Sequence, residues 1–117
     1  MSRSRWHILR EGDVLTMSRR LPVRWDVMAE TTLPDAGLLR TAQQVRQDMW
    51  RGLQDLRGFA PIVEVRRDGG KLHLRAGGAV DGKLAQAHVE STIFEILNCP
   101  ERRERWSRHA RHRRGRV

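Results

Sequence analysis

The most constraining feature of the chain is a stripe of apolar side chains: Leu38, Ala42, Val45, Met49, Leu53 and Leu56. Steps of three and four residues put all six on one side of an α-helix, with Arg40, Gln44, Arg51 and Asp55 largely off it. Upstream, Thr32-Leu33-Pro34-Asp35 predicts the helix start. Threonine caps, proline suits the first turn, and aspartate favours the positive end of the dipole. Gly58 is placed to end the helix. A helix with one apolar side needs a surface to bury it against, so the rest of the chain must supply one.

The neighbouring segments read as strands. Val23, Trp25 and Val27 alternate with Arg24, Asp26 and Met28, which predicts a strand over 22–30 with Trp25 on its inward face. Ile62-Val63-Glu64-Val65-Arg66 and Leu72-His73-Leu74-Arg75-Ala76 flank Asp68-Gly69-Gly70, a strong hairpin signal because both central turn residues need positive φ. Trp6 and Ile8 on one side of Glu11-Gly12-Asp13, and Val14, Leu15 and Met17 on the other, suggest a shorter hairpin. A second helix is expected from 84 to 98, with Ala85, Val89, Ile93, Ile96 and Leu97 on one face and Asn98 and Pro100 as its stop. The expected fold is therefore α+β, a single-domain two-layer sandwich in the order (β-hairpin)-β-α-β-β-α, with a basic C-terminal helix or disordered tail.

The size supports that expectation. At 117 residues with 38% hydrophobic content, the chain can fill one modest core but not separate substrate and cofactor lobes. No apolar run approaches the roughly 18 residues of a membrane span. The first ten residues are too charged for a signal peptide. Cys99, the single cysteine, has no partner for an intramolecular disulfide, so a soluble protein of a reducing cytoplasm is expected.

Charge is the functional lead. The net charge is +9, and 21 of the 23 basic residues are arginine. Arginine forks onto phosphates and stacks on flat rings, although a GC-rich genome would give the same bias. The excess is concentrated at the C-terminus. Residues 1–100 read as the α+β domain, and 101–117 as a tail carrying Arg102, Arg103, Arg105, Arg108, Arg111, Arg113, Arg114 and Arg116 against Glu101 and Glu104. Such a segment neutralises backbone phosphates, and Trp106 within it offers a stacking ring. Arg66, Arg67, Lys71 and Arg75 around the second hairpin, with His73, are candidates to extend the patch. The expectation is a non-enzymatic domain that binds nucleic acid through backbone electrostatics. RNA is favoured over DNA because no helix-turn-helix pattern appears. The alternative is an interaction subunit that meets a protein, for example an acidic protein surface, through an exposed sheet edge or the Leu38–Leu56 helix.

Catalytic and metal chemistry finds little footing. The loop expected at Gly77-Gly78-Ala79-Val80-Asp81-Gly82 has neither phosphate-loop nor dinucleotide spacing. Cys99 falls at the negative end of a predicted helix, which disfavours a thiolate. His88, Cys99 and the His109-x-x-His112 pair do not complete a zinc set. Carboxylates are scattered. No cofactor, metal or membrane partner is therefore expected. Trp50, beside the helical stripe, reads as a core-edge residue.

Overall fold

A computed structural model describes residues 6–111, those at 83 and 84 by backbone only. Among the described residues the order is β1 (His7–Glu11), β2 (Val14–Ser18), β3 (Val27–Pro34), α1 (Leu38–Leu53), β4 (Phe59–Asp68), β5 (Lys71–Val80), α2 (Lys83–Leu97) and α3 (Pro100–Ala110). The strands form one antiparallel sheet in the order β1-β2-β4-β5-β3. The helices cover a single face of it. This is the expected α+β architecture, with the C-terminal segment folded as a third helix through Ala110.

Turn chemistry sets the register. The β4–β5 hairpin closes on Asp68 and Lys71, so its central residues are Gly69 and Gly70 (φ +61° and +79°) rather than the Asp-Gly pair. The register then runs unbroken to Phe59 and Val80. The glycines at 77 and 78 do not open a loop as expected, because β5 continues through them. Their lack of a side chain is what lets the neighbouring strands close in: a Cβ on Gly77 would stand 2.0 Å from the Val27 carbonyl oxygen, and one on Gly78 2.2 Å from that of Ala60.

Two boundaries around β3 differ from the expectation. The strand begins at Val27 and runs through Thr32 to Pro34, so Thr32 caps nothing and α1 starts at Leu38 with Gly37 as its N-cap. The β-branched Thr31 and Thr32 suit the ladder, and Pro34 is tolerated because β3 lies at the sheet edge. Residues 19–26 instead cross the sheet face that carries no helices. There Asp26 ties them down, accepting hydrogen bonds from Arg24 (2.9 Å) and the Val80 amide (2.9 Å). Trp25 consequently leaves the helix-facing core and lies half-buried beneath the Arg75 guanidinium, 5.4 Å from its ring centre.

The core lies between sheet and helices. Leu15, Met17, Val63, Val65, Leu72, Leu74 and Ala76 meet the expected α1 stripe from Leu38 to Leu53 and Val89, Ile93, Ile96 and Leu97 of α2. The third helix completes it. Trp106 and Ala110 of α3 are buried, and α3 runs antiparallel to α1, with the Gly37 amide donating to the Ala110 carbonyl at 2.8 Å. A domain boundary drawn at residue 100 thus cuts through one continuous core.

Candidate nucleic-acid interface

The C-terminal arginines divide between holding the fold and facing solvent. Arg103 donates to Thr31 Oγ1 (2.6 Å), the Thr32 carbonyl (2.6 Å) and the Leu97 carbonyl (3.0 Å), locking α3 to β3 and to the end of α2. Arg105 pairs with Asp48 of α1, whose Oδ2 also accepts from the Trp106 indole at 2.7 Å. Trp106 is fully buried, so its ring is a core residue and offers no face to a base. Arg102 is half-buried, Arg108 is exposed 3.6 Å from Glu104, and Arg111 is exposed just past the end of α3. Arg113 and Arg114 lie outside the described residues. Cys99 sits between two helices, as the N-cap of α3, with its Sγ 3.5 Å from Glu101.

Apart from Arg67, the strand residues are not on the same surface as α3. Arg66, Lys71, His73 and Arg75 project from the sheet face opposite the helices, as the alternation around Leu72 and Leu74 predicts. That face is electrically mixed: Arg75 lies 3.7 Å from Glu64, and His73 3.9 Å from Asp68. Arg67 turns to the helix side instead, where it bonds Asp35 (2.9 Å) and the Ala36 carbonyl (2.8 Å) and lies 3.7 Å from Asp13. Only Arg67 among these strand residues comes near the C-terminal helix; Arg66, Lys71 and Arg75 form no common basic patch with it.

A different cluster does form. Ile8 and Arg10 of β1 point toward the helix side, in register with Met17 and Leu15 of β2, and Trp6 just before the strand shares their parity. Alongside them α1 presents the flank that carries Leu39, Arg46 and Trp50. The space between the two, the furrow, holds two separate hollows spread over about 15 Å of helical rise from Arg40 to Trp50. At one end two guanidiniums stand near the Trp6 ring, Arg19 at 5.8 Å and Arg46 at 5.2 Å from its centre. These residues border a cleft of about 210 Å³ with Trp50, Leu53, Leu56 and Phe59, and no carboxylate of the described residues lines it. Trp50 is 54% exposed, not the core-edge residue its spacing suggested. At the other end Arg10, Arg40, Arg67 and Arg111 rim a shallower hollow of about 450 Å³.

The sequence carried a faint signal for this furrow. Trp6, Ile8 and Arg10 share one parity, and Arg46 and Trp50 are four residues apart on α1. The approach of the two elements is a tertiary fact that neither pattern contains. Asp48 was equally hidden, because a single aspartate within a helix does not announce a buried indole partner.

Among the described residues no group of three or more His, Cys, Asp or Glu side chains is placed to hold a metal ion. No helix of the described residues is long and apolar enough to cross a membrane. No family model, curated protein or solved structure matches the chain.

Proposed function

We propose that the chain is a non-catalytic RNA-binding domain of the cytoplasm, which holds single-stranded segments in the furrow between β1 and α1. The observation that supports this reading is the cluster of Trp6, Arg19 and Arg46 beside the exposed Trp50, in a cleft that no carboxylate of the described residues lines. Single strands bind where a positive groove tracks the backbone and aromatic faces accept bases, each base–ring contact contributing roughly 1–3 kcal/mol. At about 210 Å³ the cleft is below the usual size of an enclosing ligand pocket, which suits stacking against one ring. Arg40, Arg51, Arg102, Arg108 and Arg111, on or next to α1 and α3, add a longer-range field that draws phosphates toward this side. The reading moves the binding surface from the C-terminal segment to the furrow.

Because Trp106 is part of the core, removing residues 101–117 would unfold the protein, so substitution is the better test. The affinity for a fluorescent single-stranded RNA and for a duplex is measured against salt for the wild type, Trp50→Ala and Arg46→Ala. The expected result is preference for the single strand, weakened roughly tenfold by Trp50→Ala, the equivalent of about 1.4 kcal/mol. Absence of binding at low salt, or binding indifferent to both substitutions, sinks the proposal. The other sequence expectation, an interaction subunit that uses a sheet edge, draws its support from β1.

A further inference from the structure

The two edges of the sheet are treated differently. Strand parity decides which amides point outward. The Asp68–Lys71 closure of the β4–β5 hairpin makes Leu72, Leu74 and Ala76 of β5 bond toward β3. In β3, residues 28, 30, 32 and 34 then face away from the sheet. Three of these positions are closed: Glu90 accepts from the Met28 amide (3.3 Å), Arg103 donates to the Thr32 carbonyl, and Pro34 has no N–H. Only Glu30 remains, and it carries a charge. That edge is blocked against strand addition.

Among the described residues the β1 edge has no such cover. Arg67 N donates to the Asp13 carbonyl and Arg19 N to that of Pro61, so Val14, Thr16 and Ser18 bond toward β1 and pair with Glu11, Leu9 and His7. The outward amides and carbonyls of β1 are therefore those of Ile8 and Arg10. Every residue of β1 is exposed, Ile8 at 50% and Leu9 at 44%, and no side chain of the described residues hydrogen-bonds an Ile8 or Arg10 backbone group.

We infer that β1 pairs antiparallel with β1 of a second copy about a two-fold axis at Leu9, joining two sheets into one of ten strands. The strand is self-complementary in this register. Ile8 and Arg10 of each copy exchange backbone hydrogen bonds, four in all. On the face without helices Leu9 meets Leu9 of the partner, and each His7 stands opposite a Glu11, so unlike polar groups meet rather than like charges. A one-step slip in either direction places Ile8 opposite Ile8 or Arg10 opposite Arg10, and the arginine register sets two like charges against each other. Because the axis is perpendicular to the sheet, both helical layers lie on the same side. The two β1–α1 furrows then open into one trough walled by α1 and its copy. The pairing rests on the edge geometry and not on the RNA reading. With five residues per strand the contact is at the small end of specific interfaces, so the dimer is a weak one.

Sedimentation velocity across a concentration series, with hydrogen exchange read at single amides, tests the inference. The wild type should pass from monomer to dimer with rising concentration, and exchange at the Ile8 and Arg10 amides should slow by at least tenfold along with it. Ile8→Pro removes one outward N–H without touching the ladder to β2, and Leu9→Lys sets two ammonium groups face to face. Either change should leave a folded monomer, and the second stands if the proline disturbs the hairpin. A wild type that stays monomeric up to its solubility limit overturns the inference. So does a dimer that survives both substitutions, or one whose Ile8 and Arg10 amides stay fast.

Discussion

Replacing Asp48 with alanine isolates what holds α3 in place. The carboxylate is 4% exposed and accepts from the buried Trp106 indole at 2.7 Å and from Arg105, with Arg51 a further 3.9 Å away. Asp48→Ala leaves the indole N–H buried without an acceptor, at a cost of about 1–3 kcal/mol. The Arg105 side chain is 37% exposed and regains water, so its pairing adds less than about 1 kcal/mol. The total is about 1–4 kcal/mol, or roughly 4–16 °C in Tm at ~4 °C per kcal/mol for a domain of this size. Asp48→Asn keeps an acceptor for the indole and loses only the charge, so it should cost about 1 kcal/mol. Urea unfolding followed by tryptophan fluorescence reads both variants, with an unchanged m-value as the check that the native state has kept its packing. An alanine variant within about 0.5 kcal/mol of wild type would refute the docking of Trp106 on Asp48. Equal losses in both variants would mean that the charge, not the acceptor, holds the helix.

Other perturbations follow from single contacts. Gly78→Ala should cost about 3 kcal/mol or more, because its φ of +147° disfavours a side chain and the new methyl would meet the Ala60 carbonyl at 2.2 Å; thermal melts beside Gly70→Ala, whose surroundings are open, check the packing part. Arg103→Ala removes three hydrogen bonds between α3, β3 and α2 and should lower stability by about 1.5–3 kcal/mol, measured by urea unfolding. The Arg24 guanidinium, and next the Val80 amide, hold the Asp26 carboxyl below its ordinary value of 3.8. A depressed folded value means that stability is present above the unfolded pKa and is lost as pH falls through the folded one. Asp26→Asn should therefore be less stable than wild type at neutral pH, with the gap closing below about pH 3.8, and a gap that widens in acid would reverse the sign of this argument.

What could be read from the sequence were the features with a local period. The α1 stripe, the alternation across Leu72–Ala76 and the Gly69-Gly70 turn each bind a residue type to a conformation over a few positions. Expectation and structure differ where a distant contact chooses between two locally acceptable states. Thr32-Pro34-Asp35 reads as a helix start and equally as the end of an edge strand, and pairing of Leu33 with Leu72 decides for the strand. Gly77-Gly78 reads as a loop until the carbonyls of Val27 and Ala60 close in on it. Trp106 shows the same limit most clearly. Inside a run of arginines its surroundings in sequence suggest a solvent-facing ring, whereas its surroundings in space are α1, the sheet and one aspartate.

Those fates bear on how steeply binding should depend on salt. Counting charge in sequence gives the C-terminal segment eight arginines. Were all of them on phosphates, the slope of log K against log salt for a single strand would be about −6, at roughly 0.7 per contact. Arg103 is bonded to two backbone carbonyls and a hydroxyl, and Arg105 is bonded to Asp48, so neither is available without cost to the fold. The furrow offers Arg10, Arg19, Arg40 and Arg46, and four contacts predict a slope of about −3. Arg46→Ala and Arg40→Ala should each reduce its magnitude by about 0.7, whereas Arg108→Ala, on the far helix beside Glu104, should leave it nearly unchanged. A wild-type slope near −6, or an Arg108→Ala effect equal to that of Arg46→Ala, would return the phosphates to the C-terminal segment and leave the furrow without a role in binding.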